Sequence, residues 1–229
     1  MKIYVIGDSI SIQYGPHLAR FLEGMADYAR KEGEEEALLN LDKPVGANGG
    51  DSSMVRAFLE AKARAGGIDA ELLLVNCGLH DIKADPATGA RQVPIGDYVE
   101  NLRAIVRTVA EMGRGRGAAP GGPEKSPRLV WIRTTPCDEA VHNARSVGFH
   151  RFAADCDAYN RAADEVMAAA GVPSIDLHTF TLALGPELYC DHVHFIEPVR
   201  EKQAAFIAGW VAGRGSAGRR GSSTAEGAE

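Results

Sequence analysis

The feature that most limits how this chain can fold is a repeated alternation of strand-like and helix-like segments. Short apolar runs at Lys2–Ile6, 71–76, 128–133 and 173–177 are typical of strands buried in a sheet. Strands that alternate with helices favour an α/β domain with a mostly parallel sheet. In such a sheet the functional groups gather at the C-terminal ends of the strands.

Amphipathic stretches lie between these runs. One helix is predicted to begin after Asp51, which is a capping-type residue. Either 26–30 or 37–41 is expected to add a strand between the first two helices. The remaining predicted helices, recognised by apolar residues at helical spacing, span 13–25, 98–112, 151–170 and 198–211.

The length of 229 residues fits one domain. We expect residues 1–212 to form it. Residues 113–127, rich in Gly and Pro, are predicted to be a flexible loop insertion. Residues 213–229 contain almost nothing apolar and are predicted to be a disordered tail.

Composition excludes several classes of partner. The 25 basic residues against 31 acidic ones argue against a general nucleic-acid binder, which needs a surplus of positive charge. No apolar run approaches the roughly 18 residues that a membrane span requires. The apolar stretch at the N-terminus is too short for a secretory signal. We therefore expect a cytoplasmic protein without a nucleic-acid or membrane partner; homo-oligomerisation is left open. The cysteines lack metal-type spacing and are expected to be reduced thiols: Cys77, Cys137, Cys156 and Cys190.

A candidate nucleophile follows the first strand. Ser9, in the sequence G-D-S-I at 7–10, is placed at a strand-to-helix turn, where backbone N–H groups can stabilise an oxyanion. Taken alone, this tetrapeptide is more typical of a simple helix cap.

A candidate base lies near the other end of the chain. In D-H-V-H at 191–194, the Asp191 carboxylate can reach His194 Nδ1 within one turn, as in serine-hydrolase triads. The alternative is a metal site formed by Asp191, His192 and His194, which no second Cys/His cluster supports.

Two further motifs follow the strands between these ends. The sequences G-G-D-S at 49–52 and G-L-H-D at 78–81 place glycines and hydrogen-bond donors beside the expected position of Ser9. Their alternatives are an ordinary tight turn and a loop histidine.

These four motifs, in this order, resemble the blocks of the SGNH (GDSL-type) hydrolase family, and the resemblance covers the chain from residue 2 to about residue 210. It implies a flavodoxin-like, three-layer α/β/α fold with a five-stranded, mostly parallel sheet. It also implies a serine esterase that needs no cofactor and no metal. The block that carries Asn in the family has His80 here.

The resemblance assigns a role to each matching residue. Ser9 is the nucleophile, His194 the base and Asp191 the residue that orients it. The oxyanion hole is formed by the backbone N–H groups of Ser9 and Gly50 and by the His80 side chain, since a neutral imidazole can donate one N–H in place of the family's Asn.

The polar loops around these motifs suit a hydroxyl-rich substrate. The favoured function is therefore hydrolysis of a small-molecule ester, an acylated sugar, by a carbohydrate O-acetylesterase. The alternatives are a short-chain acyl-ester, lysophospholipid or thioester hydrolase of the same family, a non-catalytic binding protein on this fold, or a thiol enzyme using Cys77 or Cys190. The predicted substrate contacts, each of which could also be an ordinary loop residue, are Asp8, Tyr14, Asn48, Asp51, Asp81 and His142.

Overall fold

The computed structural model describes residues 1–112, 126–146 and 148–219, with the backbone alone for 214–219. Most of the predicted loop insertion (113–125) and the last part of the predicted tail (220–229) lie outside the described residues.

Five strands form one parallel sheet, which confirms the predicted fold class. The strand order is β2-β1-β3-β4-β5, and every neighbouring pair is parallel. From β1 the chain adds β2 on one side and the later strands on the other, so the direction of strand addition changes between β1 and β3. Open α/β sheets place their sites at this point. The strands are β1 (Lys2–Ile6), β2 (Asp27–Arg30), β3 (Leu72–Val75), β4 (Arg128–Ile132) and β5 (Ser174–Ile175).

Eight helices accompany the sheet in the described residues. They are α1 (Ser9–Leu22), α2 (Glu34–Leu39), α3 (Ser52–Arg64), α4 (Ile95–Glu111), α5 (Glu139–Arg145), α6 (Ala153–Ala169), α7 (Leu177–Leu182) and α8 (Glu197–Arg219). Of the two positions considered for the second strand, 26–30 is right and 37–41 is wrong. The latter falls largely in α2, whose first turn is entirely acidic, and carboxylates in a first turn are stabilised by the helix dipole.

The helices cover both faces of the sheet, as the three-layer architecture requires. Helices α1, α7 and α8 pack together in one layer, and α3, α4 and α6 in the other. All four residues of β3 are buried, as expected for an interior strand covered on both faces.

Helices α1 and α8 pack against each other, which brings residues from the first and last helices of the domain into contact. Between them His17 Nε2 and Glu197 Oε1 lie 2.7 Å apart, and Arg20 donates to Glu201 at 2.6 Å. Helix α8 runs to Arg219, beyond the predicted end at residue 211, and so includes residues 213–219 of the predicted tail. Across the described ranges, no helix is long and apolar enough to cross a membrane.

Candidate active site

Ser9 is positioned by the turn from β1 into α1. Asp8 caps this helix: its side chain accepts the Ile10 N–H at 3.0 Å, and its carbonyl accepts the Ser11 N–H at 3.1 Å. The N–H of Ser9 has no acceptor within the described part of the chain, because the first N–H groups of a helix have no partner in the helix itself. Ser9 is only 5% exposed.

A chain of hydrogen bonds joins Ser9, His194 and Asp191. Ser9 Oγ lies 2.9 Å from His194 Nε2, and His194 Nδ1 lies 2.7 Å from Asp191 Oδ2. The structure thus brings the three predicted triad side chains together across 185 residues of sequence.

The Asp191 carboxylate is held by its own loop. Its Oδ1 accepts the N–H groups of Val193 at 2.9 Å and His194 at 2.7 Å, and its carbonyl accepts from Arg145. Partial burial opposes ionisation, but the N–H groups of Val193 and His194 and the His194 ring outweigh it and hold the pKa of Asp191 below its usual value. The residue is therefore a carboxylate at neutral pH, oriented with Oδ2 towards the imidazole.

Gly50 occupies the position predicted for an oxyanion donor. Its φ of +71° favours glycine, and a side chain there would collide with Met54 and Pro44. Its N–H, however, donates to Asn48 Oδ1 at 3.0 Å. Of the predicted oxyanion N–H groups, that of Ser9 is free among the described residues and that of Gly50 is engaged.

His80 is buried at the C-terminal end of β3. It is 2% exposed, and its Nδ1 has no hydrogen-bond partner within the described ranges. Burial, with the nearby cations Lys83 and Arg151, lowers the pKa of His80 well below its usual value. The ring is therefore neutral at physiological pH, the state in which one nitrogen donates and the other accepts.

The predicted substrate contacts are all buried, and none is more than 7% exposed. Ser9, His80 and His194 are buried to the same degree, and several of the predicted contacts also cap helices or hold loops. Asp51 caps α3 by accepting the Met54 N–H. The Asn48 side chain accepts the Gly50 N–H and donates to the Leu41 carbonyl. The six are Asp8, Tyr14, Asn48, Asp51, Asp81 and His142.

Asp81 shows how these residues act behind the site. Its two oxygens accept the Ser52 N–H at 2.9 and 3.1 Å, which fixes the start of α3 against the loop that carries His80. Burial raises the pKa of Asp81 to about 7.

Two features of the site are missing from the sequence-based prediction. Arg151 is 3% exposed and donates to the Leu79 carbonyl at 2.7 Å; burial lowers its pKa to about 10. Asp42, from the loop after α2, lies 3.0 Å from His192 Nε2. No local signal could identify either, because the partners are 72 and 150 residues away in sequence.

The alternatives based on Asp191 as a metal ligand and on a thiol nucleophile are not supported. The Asp191 carboxylate is hydrogen-bonded to His194 Nδ1, and the carboxylate that contacts His192 is that of Asp42. All four cysteines are free thiols. Cys77 is fully buried and burial raises its pKa well above the usual value, which disfavours the thiolate. Cys190 donates its thiol hydrogen to the carbonyls of His194 and Phe195.

A serine, a histidine and a carboxylate linked in this order, at the C-terminal edge of a parallel α/β sheet, define the class of serine hydrolases. The sequence matches the model of the GDSL-like lipase/acylhydrolase family over residues 5–197. The chain belongs to this family and is an SGNH-type hydrolase. No curated protein matches the sequence.

Several solved structures share the fold. A lipase/acylhydrolase from Enterococcus faecalis is 20% identical, with a TM-score of 0.55 over 93% of this chain and 96% of that one. The acetyl xylan esterase AlAXEase is 12% identical, with a TM-score of 0.64 over 93% and 99%. Est24, a carbohydrate acetylesterase from Sinorhizobium meliloti, is 14% identical, with a TM-score of 0.59 over 93% and 98%.

Proposed function

We propose that the protein is a serine esterase that removes small acyl groups, acetyl in particular, from acylated sugars through an acyl-enzyme. One observation carries the proposal: Ser9 Oγ, His194 and Asp191 are linked by contacts of 2.9 and 2.7 Å. These distances lie within the range that a general base needs to take a proton from a nucleophile.

The reaction follows from this geometry. His194 Nε2 takes the Ser9 hydroxyl proton as Oγ attacks the ester carbonyl, and later returns it to the leaving alcohol. Water then attacks the acyl-enzyme: His194 Nε2 takes a proton from the water and passes it to Ser9 Oγ, which leaves as the carboxylic acid is released. Asp191 keeps the proton of the imidazole on Nδ1 and stabilises the imidazolium that forms. None of these steps uses a cofactor.

The negative charge on the carbonyl oxygen is stabilised by the free N–H of Ser9 and by one N–H of the neutral His80 ring. The Gly50 N–H contributes as a three-centre donor shared with Asn48 Oδ1, an arrangement common where backbone donors meet two acceptors. The burial of all three residues strengthens these interactions because water screens them little.

A small acyl group and a polar alcohol fit the surroundings best. Ser9 is 5% exposed, so the approach to its hydroxyl is narrow. Charged residues lie around the triad: Asp42 contacts His192, Lys83 donates to the Asp42 carbonyl, and Arg145 donates to the Asp191 carbonyl. Two proteins of the same fold are named as an acetyl xylan esterase and a carbohydrate acetylesterase, which supports a sugar ester as substrate.

A second candidate, an esterase for longer acyl chains, is favoured by one observation. Leu38 and Leu39 on α2 are 59% and 86% exposed. They stand three to four residues before Asp42, which contacts the histidine next to the triad. Exposed apolar side chains so close to a site are typical of surfaces that contact a lipid or a partner.

Two measurements test the proposal. Ser9→Ala should abolish turnover of p-nitrophenyl acetate and labelling by a fluorophosphonate probe, whereas Ser174→Ala, which removes an exposed hydroxyl at the start of β5, should change neither. Wild-type turnover in Ser9→Ala, or an unlabelled wild-type protein, would exclude the serine mechanism. Acetyl release from acetylated sugars should exceed hydrolysis of acyl esters of increasing length; a preference for long chains would instead support the second candidate.

A further inference from the structure

A second group of chemically active side chains lies against the triad. The ligand atoms of Asp42, His192 and His194 all lie within 4.8 Å of one another. Asp42 Oδ1 and Oδ2 are 3.0 and 3.2 Å from His192 Nε2. The proposed esterase mechanism uses His194 alone and leaves Asp42 and His192 without a role.

Hydrogen bonds on the far side of each imidazole direct Nε2 into this cluster. His194 Nδ1 donates to Asp191 Oδ2, so the lone pair of the neutral ring is on Nε2. The same carboxylate–histidine pairing commonly orients histidine ligands of zinc. The base of a serine triad is therefore also arranged as a metal ligand.

His192 is oriented by the buried His142. Arg151 Nη1 lies 3.4 Å from His142 Nδ1, and a guanidinium can only donate. With its proton on Nε2, which has no partner within the described residues, His142 accepts the His192 Nδ1–H on Nδ1 at 3.0 Å. The opposite tautomer of His142 could donate to the His192 carbonyl at 3.2 Å, but it would set an N–H against the guanidinium.

In this arrangement the His192 Nε2 lone pair faces a carboxylate. Two acceptors 3.0 Å apart repel each other unless a cation lies between them. That cation is either a proton on His192 or a metal ion, and a metal ion could also bind His194 Nε2 in place of its hydrogen bond from Ser9 Oγ.

Two imidazole nitrogens and one carboxylate oxygen are a ligand set of Zn²⁺, which leaves its fourth tetrahedral position open. Zinc bonds of roughly 2.0–2.1 Å place ligand atoms roughly 3.3 Å apart, so the widest separation in the cluster must shorten by up to about 1.5 Å. The Asp42 side chain, 45% exposed, is free to move inwards. The buried Arg151 and the neighbouring Lys83 oppose a cation here, so we expect weaker binding than at a closed structural zinc site.

We propose that Asp42, His192 and His194 form a binding site for a divalent transition metal, best matched by Zn²⁺, and that the bound ion inhibits the enzyme. The ion occupies the Nε2 lone pair that must accept the Ser9 proton, so the base is blocked while metal is present. The inhibition rests on the proposed esterase function, whereas the binding site does not.

Binding is tested without activity, by titrating the tag-free protein with Co²⁺ and recording the visible absorption of four-coordinate cobalt. In the wild-type protein, one equivalent of Co²⁺ should be enough to produce the full absorption band of four-coordinate cobalt. Asp42→Asn and His192→Gln should weaken Co²⁺ binding by about 10–100-fold or more, since loss of even a supporting partner costs that much. Cys190→Ser, which removes a thiol near the loop, should bind as wild type. Absence of the band, equal binding in the two variants, or its loss in Cys190→Ser would overturn the site.

Inhibition is tested by titrating Zn²⁺ into the p-nitrophenyl acetate assay and comparing each variant with its own zinc-free rate. The inhibitory concentration should rise by about 10–100-fold in Asp42→Asn and His192→Gln, and EDTA should restore wild-type activity. An active protein whose zinc response is unchanged by both variants would refute the proposal. An inactive wild-type protein that still binds one Co²⁺ through Asp42 and His192 would refute the esterase function and leave the metal site standing.

Discussion

The two oxygens of Asp191 have different partners, and this predicts what Asp191→Asn does. Oδ1 accepts two backbone N–H groups, from Val193 and His194, so the amide oxygen of an asparagine must take that position. The amide NH₂ then lies where Oδ2 was, 2.7 Å from His194 Nδ1. Because NH₂ only donates, the imidazole must carry its proton on Nε2, and Nε2 can no longer accept the Ser9 proton.

The size of the effect follows from this tautomer change. In buried triads the same substitution lowers kcat by about 10⁴-fold. The Asp191 side chain is 45% exposed, so water screens the interaction partly, and we expect a loss of about 10³–10⁴-fold. At 1.36 kcal/mol per tenfold, this corresponds to about 4–5 kcal/mol of transition-state stabilisation.

The assay has three readouts. The value of kcat on p-nitrophenyl acetate should fall by this factor, KM should change little, and the ¹⁵N signals of the His194 ring should show the proton moving from Nδ1 to Nε2. The thermal unfolding temperature should stay near that of wild type, because the two bonds to Oδ1 are kept. Activity within tenfold of wild type, or an unchanged tautomer, would refute the reasoning.

Three further predictions rest on other parts of the site and fold. His80→Ala should lower kcat by about 10²–10³-fold through loss of an oxyanion donor, while His80→Asn should keep most of it; equal losses in both would exclude the donor role. Between about pH 4 and pH 7 folded Asp81 holds a proton that the unfolded chain has released, so its contribution to the free energy of unfolding decreases as pH rises. The free energy of unfolding, measured by chemical denaturation, should therefore fall from pH 5 to pH 8 by about 3 kcal/mol more in wild type than in Asp81→Asn. Equal decreases in the two proteins would contradict this prediction. Ending the chain after residue 212 keeps the buried Ile207 and Val211 of α8 and should leave esterase activity unchanged; a loss of activity would show that residues 213–229 are needed.

The sequence predicts those features that depend on local patterns. Four of the five strands, the long helices and the triad are readable because apolar periodicity and short motifs at strand ends carry the information, whereas β2 could be placed only as one of two alternatives. Helices α2, α5 and α7 are missing from the prediction because elements of six or seven residues offer too few turns for a periodic signal, and their stability comes from packing.

The surroundings of the triad depend on contacts between distant residues. The pairing of Asp42 with His192 spans 150 residues and that of Arg151 with Leu79 spans 72. The engagement of Gly50 by Asn48 is local, but it depends on a loop conformation that many sequences with Asn before Gly could adopt. The burial of the six predicted substrate contacts likewise depends on how helices and loops from distant parts of the chain pack together, which no single segment encodes.

The packing of α1 against α8 has a consequence for how the protein is made. Ser9 begins α1, and the loop with Asp191 and His194 leads directly into α8. Ser9, the proposed nucleophile, is synthesised first, whereas His194, its proposed base, precedes a helix that can dock only after almost the whole domain has left the ribosome. In a partly synthesised chain Ser9 therefore lacks its proposed base, and we expect hydrolytic activity to begin only when α8 docks.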